Sequence, residues 1–211
     1  MNKNIKIILA SASPRRHELL LAAGLPHEIL VTDADENPKG EPTFGESYAE
    51  WFAAEASKMK GKAALHAVTP EEGARTFIVS ADTIVSPDKK AVFGKPASRE
   101  DAAATMELLS GRVHYVVGGI TVAEVGENKS VSRAVVTEVR FKSLSEDEIS
   151  AYVDTTEPYD KAGSYGIQGI ASMFVESIIG DYPNVVGISV ATLCDILTKD
   201  FGVSPAELIG Y

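Results

Sequence analysis

The sequence of 211 residues predicts an α/β fold on a mixed, twisted sheet with flanking helices. Three observations predict it. Apolar, β-branched runs at residues 7–9 and 76–85 read as strands, the second as one covered on both faces. Stretches of helical period with recognisable caps lie between strands, as crossovers require. Strands at 113–125 and 132–141 follow one another closely, as in a hairpin, so parallel and antiparallel pairings must share the sheet.

The elements follow in order. The first strand stops at Ser11 and Ser13; Pro14 follows, then Arg15, Arg16 and a helical stretch to Ala23. Serine before proline is a favourable helix start. Residues 28–32 read as a short second strand, and 33–40 as an acidic, turn-rich loop. A helix is expected over 44–67, with Ala49, Phe52, Ala53, Ala56 and Ala63 on its apolar stripe. After a loop at 70–75, the covered strand turns at 87–90 into Ala91-Val92-Phe93, which Gly94-Lys95-Pro96 ends. Ser98 caps a helix that runs to near Gly111, with Glu100 and Asp101 in its first turn. Gly118-Gly119 in the next strand marks a bulge or a close backbone approach. Residues 132–141 alternate, and Ser145 to Glu148 form a capping box that opens a helix to Val153. A polar, glycine-rich passage spans 155–169, a strand 173–178 and a turn 182–184. A long helix over 189–198 and a short one from Ser204-Pro205 complete the chain.

This length fits one domain, residues 1–211, in two lobes. A net charge of −10 argues against broad nucleic-acid binding, which needs a basic face, but leaves room for a small polyanion in a local basic pocket. The single cysteine, Cys194, excludes an internal disulfide, fits a reducing compartment and reads as a buried structural thiol. Lys3 and Ala10-Ser11-Ala12 mimic a signal peptide, but Lys6 interrupts the short apolar run. No stretch is long enough to span a bilayer, so a cytoplasmic location without membrane contact is expected.

Chemistry concentrates at a few places. The backbone N–H groups at the start of the first helix carry partial positive charge, and Arg15 and Arg16 add to it. Cations there conflict with the helix dipole, and a bound phosphate would relieve that conflict. Asp82 sits within the most apolar strand, where a carboxylate is costly unless paired or metal-bound. Asp33, Asp35 and Glu36 form an acidic loop whose bland reading is a solvated turn. Beside Asp82 and a phosphate turn, one of them becomes a magnesium or manganese ligand. Lys58, Lys95 and Lys161 occupy three settings, of which Lys95, between Gly94 and Pro96, is the least ordinary. Gly94-Lys95 is no P-loop, and the dinucleotide fingerprint is missing. In Gly163 to Gly169, spaced glycines read either as a flexible loop or as backbone brought close to a ligand. In the second reading Gln168 offers a donor and an acceptor to a nucleobase edge. The four histidines show no metal-ligand spacing, and no serine sits in a nucleophile elbow.

Taken together, Leu9-Ala10-Ser11-Ala12-Ser13-Pro14-Arg15-Arg16, Ser80-Ala81-Asp82-Thr83, Gly94-Lys95-Pro96, Leu109-Ser110-Gly111 and the run from Asp160 to Gly169 resemble the Maf family of nucleoside triphosphate pyrophosphatases. The resemblance runs from the first strand to the last long helix. It implies hydrolysis of a nucleoside triphosphate to the monophosphate and pyrophosphate, assisted by magnesium or manganese. It also implies a fold with a cleft between two lobes, related to the inosine-triphosphate pyrophosphatases, and a possible homodimer. Carried over residue by residue, Asp82 would accept a proton and associate with metal, with Glu36 as a further metal ligand. Arg15, Lys58 and Lys95 would face the triphosphate, with Ser11 and Ser13 in the phosphate turn and Lys161 among the substrate-binding residues. Arg16, Thr83 and Gln168 match the positions associated with substrate choice. The run from Asp160 to Gly169 resembles the branch acting on dTTP and UTP. Two alternatives stand beside it: a nucleotide-sensing regulator of cell division, and a pyrophosphatase preferring 7-methyl-GTP. The family's usual Val-Val-Gly-Leu-Pro reads Val185-Val186-Gly187-Ile188-Ser189 here, which leaves serine to cap the last long helix.

Overall fold

A computed structural model describes residues 4–33, 37–43 and 45–208. Its centre is one six-stranded sheet, mixed as the sequence predicts. Strand β1 (Asn4–Leu9) pairs in parallel with β2 (Glu28–Ile29) on one side and with β3 (Ala74–Ser86) on the other. Strands β4 (Val113–Glu124), β5 (Ser130–Phe141) and β6 (Val175–Ile179) follow in antiparallel order.

Helix α1 (Pro14–Ala22) connects β1 to β2, and α2 (Tyr48–His66) connects β2 to β3. Strand alternation assigns the two faces. Odd-numbered Phe77, Val79 and Ala81 of β3 pack with Leu20 of α1 and with Leu193 and Leu197 near the C-terminus. Val85, farther along the same face, belongs to a second cluster with Met106, Phe141, Tyr152 and Phe174. Thr83 falls between the two clusters. Even-numbered Ile78 and Ile84 face α2, packing beside Ala64 and beside Ala49 and Ala53 respectively.

Gly118 and Gly119 resolve into close approach, with no bulge: the β3–β4 register runs unbroken through Asp82↔Gly119 and Thr83↔Gly118. A Cβ on Gly119 would lie 1.8 Å from the Ala53 carbonyl oxygen, so glycine lets the α2 backbone rest on the sheet. A Cβ on Gly118 would lie 2.0 Å from Asn184 Oδ1.

Local caps hold as expected. Ser98 Oγ accepts from Asp101 N at the head of α3 (Arg99–Leu109), and Ser145 and Glu148 close a full capping box on α4 (Glu146–Val153). The differences are at marginal segments. The second strand is two residues long, residues 91–93 contribute only the bridge Val85↔Phe93, and α2 starts behind a Ser47 cap. The 155–169 passage holds two 3-10 turns (Glu157–Asp160 and Ala162–Ser164), and a third (Ile170–Phe174) takes Met173 out of β6. The 182–184 turn is helix α5 (Tyr182–Val186). Ser189 caps α6 (Val190–Asp195), which continues as one π-helical segment (Ile196–Asp200); α7 (Pro205–Leu208) follows. Cys194 is half-buried on α6, where burial and then the Asp195 charge push its thiol up.

Candidate active site

Pairing of β1 with β3 ends at Leu9↔Val79, while β3 continues to Ser86. A crevice therefore opens beyond the carboxyl end of β1, along the edge of β3 that lies between Val79 and the Val85↔Phe93 bridge. It lies where the chain leaves β1 for neighbours on either side, the usual ligand position in an open α/β sheet. Helix α1 flanks it on one face and α2 on the other.

On the α1 face, Ser13 occupies the cap position with extended backbone, but its side chain caps nothing and no acidic residue lies in the first turn. Among the described residues, neither a side-chain cap nor a first-turn acid meets the N–H groups of this helix start. Ser13 N instead donates to Ser11 Oγ at 3.2 Å. The Arg16 guanidinium is held by three separate segments. Nη1 donates to Ser11 Oγ at 3.0 Å, Nη2 to Thr83 Oγ1 at 3.2 Å and Nε to the Gly187 carbonyl at 2.8 Å. Thr83 Oγ1 donates to the same carbonyl at 3.2 Å. Gly187 follows α5, which Asn184 ties to the sheet: its Nδ2 donates to Val116 O, Val135 O and Thr137 Oγ1.

Asp82, one residue before Thr83, points to the α2 face. Its Oδ1 accepts from Lys60 Nζ at 2.6 Å, and both side chains are 13% exposed. Two residues on a helix are separated by about 200°. Lys58 accordingly faces elsewhere and pairs with Glu55 at 2.5 Å, the two side chains being 50% and 33% exposed. The structure thus brings Lys60, not Lys58, to Asp82. The signal for Lys60 was in the sequence: the stripe Ala49, Ala53, Ala56 continues by four to residue 60 and by four more to buried Ala64.

The segment from Asp160 to Gly169 lies against the far end of β3, where a Cβ on Gly163 would meet Val85 at 2.6 Å. Gly163 N donates to the Gly94 carbonyl at 3.1 Å, which sets exposed Lys95 beside this loop. Lys161 Nζ, on a side chain 15% exposed, is bonded to Asp160 Oδ1 and to the Glu157 carbonyl. The hydrogen bond from Lys161, and behind it the Lys161 and Arg15 charges, hold the Asp160 carboxyl below its usual value. Gln168 is exposed in a turn closed by Gly169 N to Gly166 O at 3.1 Å. Glu36 lies outside the described residues.

Magnesium takes one or two carboxylates and completes its shell with phosphate oxygens and water. Asp82 fits that role as a single carboxylate; among the described residues no group of three or more His, Cys, Asp or Glu side chains gathers to hold an ion. Among the described residues, no helix is long and apolar enough to cross a membrane.

Comparison with known proteins places these segments in a family. Residues 6–200 match the family described as "Maf-like protein". A dTTP/UTP pyrophosphatase of Acetivibrio thermocellus is 42% identical over 205 residues, covering 97% of this chain and 100% of that protein. One of Desulforamulus reducens is 44% identical over 197 residues, covering 93% of this chain and 97% of that protein. Among solved structures, the Ham1 protein of Staphylococcus aureus overlaps 64% of this chain and 71% of its own at 12% identity, with a TM-score of 0.38, too low to carry an argument. The family match spans β1 to the segment after α6, and with it every described candidate residue: the chain belongs to the Maf-like family.

Proposed function

We propose that this chain hydrolyses dTTP and UTP to the monophosphate and pyrophosphate. The observation that carries the proposal is the placement, on the two faces of β3 just beyond the end of β1, of a carboxylate paired with Lys60 and a guanidinium held by three segments. It is supported by relatives named dTTP/UTP pyrophosphatases along nearly the whole chain. In this reading the triphosphate lies against the open helix start of α1, with Ser11, Ser13, Arg15 and Lys95 around it. Lys60 takes the phosphate role that the sequence resemblance gave to Lys58, and Lys161 supports the loop from below.

Asp82 accepts a proton from the water that attacks the α-phosphorus. A bond from water oxygen to phosphorus forms, the bond to the bridging oxygen breaks, and pyrophosphate leaves with that oxygen. The cationic side chains offset the charge that moves onto it. Asp82 and, on the family resemblance, Glu36 would hold magnesium or manganese together with the phosphates, and the ion would supply further charge neutralisation. Arg16, Thr83 and Gln168 select the substrate. We place the reaction in the cytoplasm, in keeping with the single unpaired cysteine.

Pyrophosphate release from dTTP and UTP with magnesium tests the proposal; a protein that binds them without turnover is the sensing regulator instead. Asp82→Asn should keep nucleotide affinity and lose turnover by about 10²–10⁴-fold. A competition panel with CTP, 7-methyl-GTP and inosine triphosphate fixes the base preference.

A further inference from the structure

The spaced glycines around Gln168 have an internal explanation. A Cβ on Gly169 would lie 2.0 Å from Glu157 Oε2, and one on Gly166 would lie 2.8 Å from Lys161 Cε. Both glycines make room for side chains of the preceding turn. The Glu157 carboxylate occupies that room fully. Its Oε2 accepts from Ile170 N at 2.6 Å and its Oε1 from Ala171 N at 3.0 Å, the first two N–H groups of the 3-10 turn that follows Gln168. Oε1 also accepts from Tyr152 Oη at 3.1 Å. Tyr152 is buried against Phe174, ring centroids 5.3 Å apart, so the carboxylate is anchored in the core. Burial, and next the Glu157 charge, push the Tyr152 phenol up, which keeps it a donor. The Glu157 carbonyl in turn accepts from Lys161 Nζ at 2.9 Å. One residue thus fixes both ends of the loop.

What the clamp leaves exposed is Gln168. The loop is joined to the Lys95 segment through Gly163 and Gly94, and Gly163 rests against Val85 toward the end of β3. We propose that Glu157 is a positioning residue for base recognition: its carboxylate holds the turn that sets the Gln168 amide at the edge of the nucleobase. The proposal rests on the pyrophosphatase reading above and on an amide pairing with that edge. Hydrogen-bond selection between bases depends on placement, and a misplaced amide loses the contact while the phosphates, held elsewhere, still bind and react.

The test compares kcat/KM for UTP and CTP. Glu157→Gln keeps the shape but turns an amide NH2 toward backbone N–H donors. It should lower the UTP-over-CTP preference about tenfold, through KM for UTP, with kcat changed by less than about threefold. Tyr152→Phe removes a single bond to the carboxylate and should shift the preference the same way by about threefold, which covers the case of a poorly folding Glu157 variant. In a Gln168→Ala background, where the preference is already lost, Glu157→Gln should change it by less than about twofold. An unchanged preference in both Glu157→Gln and Tyr152→Phe, with Gln168→Ala lowering it, would overturn the clamp and spare the reading of the site. Equal effects of Glu157→Gln with and without Gln168 would overturn it too. An unchanged preference in Gln168→Ala removes the base contact itself, and the proposal with it.

Discussion

Replacing Lys60 by methionine keeps the side-chain stem and takes the cation from Asp82. The two side chains are each 13% exposed and 2.6 Å apart, so the carboxylate is left without this partner in a nearly dry site. Breaking a fully buried pair costs about 3–5 kcal/mol; with some water reaching Asp82 we take about 3 kcal/mol. At about 2–4 °C per kcal/mol for a chain of this size, the melting midpoint should fall by roughly 6–12 °C. Lys58→Met is the control. Its pair with Glu55 is 50% and 33% exposed, and such a pair contributes about 0.5 kcal/mol or less. Urea unfolding followed by circular dichroism measures both, with an unchanged m-value as the check on two-state behaviour. Adding Asp82→Asn to Lys60→Met removes the stranded carboxylate and should recover more than about 1 kcal/mol. Additive losses in the double variant, or a Lys58→Met as costly as Lys60→Met, would refute the pairing. Turnover adds a second readout: Lys60→Met should lower it at least about tenfold and Lys58→Met should not.

Gly119→Ala sets a methyl 1.8 Å from Ala53 O and 2.2 Å from its carbonyl carbon. These are backbone atoms, so α2 itself must retreat; a loss above about 3 kcal/mol in urea is expected, and a wild-type midpoint would show that α2 does not rest there. In Gly118→Ala the obstacle is the Asn184 side chain, 2.0 Å away, which must surrender its three hydrogen bonds. Its cost should be about 2–4 kcal/mol, and the Asn184→Ala/Gly118→Ala pair should be strongly non-additive. His114 is buried, with Nε2 against Tyr165 Oη, and desolvation lowers it to about 4. Its unfolded value is near 6.5, so the unfolded chain binds the extra proton first. Its contribution is intact above pH 6.5 and is lost as pH falls toward 4, about 3 kcal/mol in all. Measured between pH 7 and 4.5, His114→Gln should flatten this part of the acid limb; parallel limbs for variant and wild type would show that His114 does not titrate this way.

What could be read from the sequence was what short stretches decide for themselves. Ser98, Ser145 and Ser189 cap their helices because cap and N–H lie within three residues. The strand 76–85 announces itself by β-branching. The Arg16 contact to the Gly187 carbonyl spans 171 positions and leaves no local trace. Neither does the shortness of the second strand, which pairs with Ile8 and Leu9 alone. Lys60 is the instructive case: periodicity placed it on the sheet-facing stripe, and a lysine there is as informative as an aspartate in an apolar strand, because each is costly without the other.

The alternation of β3 also separates two tasks. Asp82 and Thr83 are neighbours in sequence, yet one faces α2 and Lys60 and the other faces α1, Arg16 and Gly187. In the proposed reaction, the proton acceptor and its lysine then sit on one face of the strand, and Thr83 and Arg16, which choose the substrate, on the other. Thr83 can change without disturbing the Asp82–Lys60 pair, and Arg16 can be re-aimed through Gly187 without moving α2. Substrate preference is free to vary at a strand end whose chemistry stays fixed, since a single residue step is enough to put the two on opposite sides of the sheet.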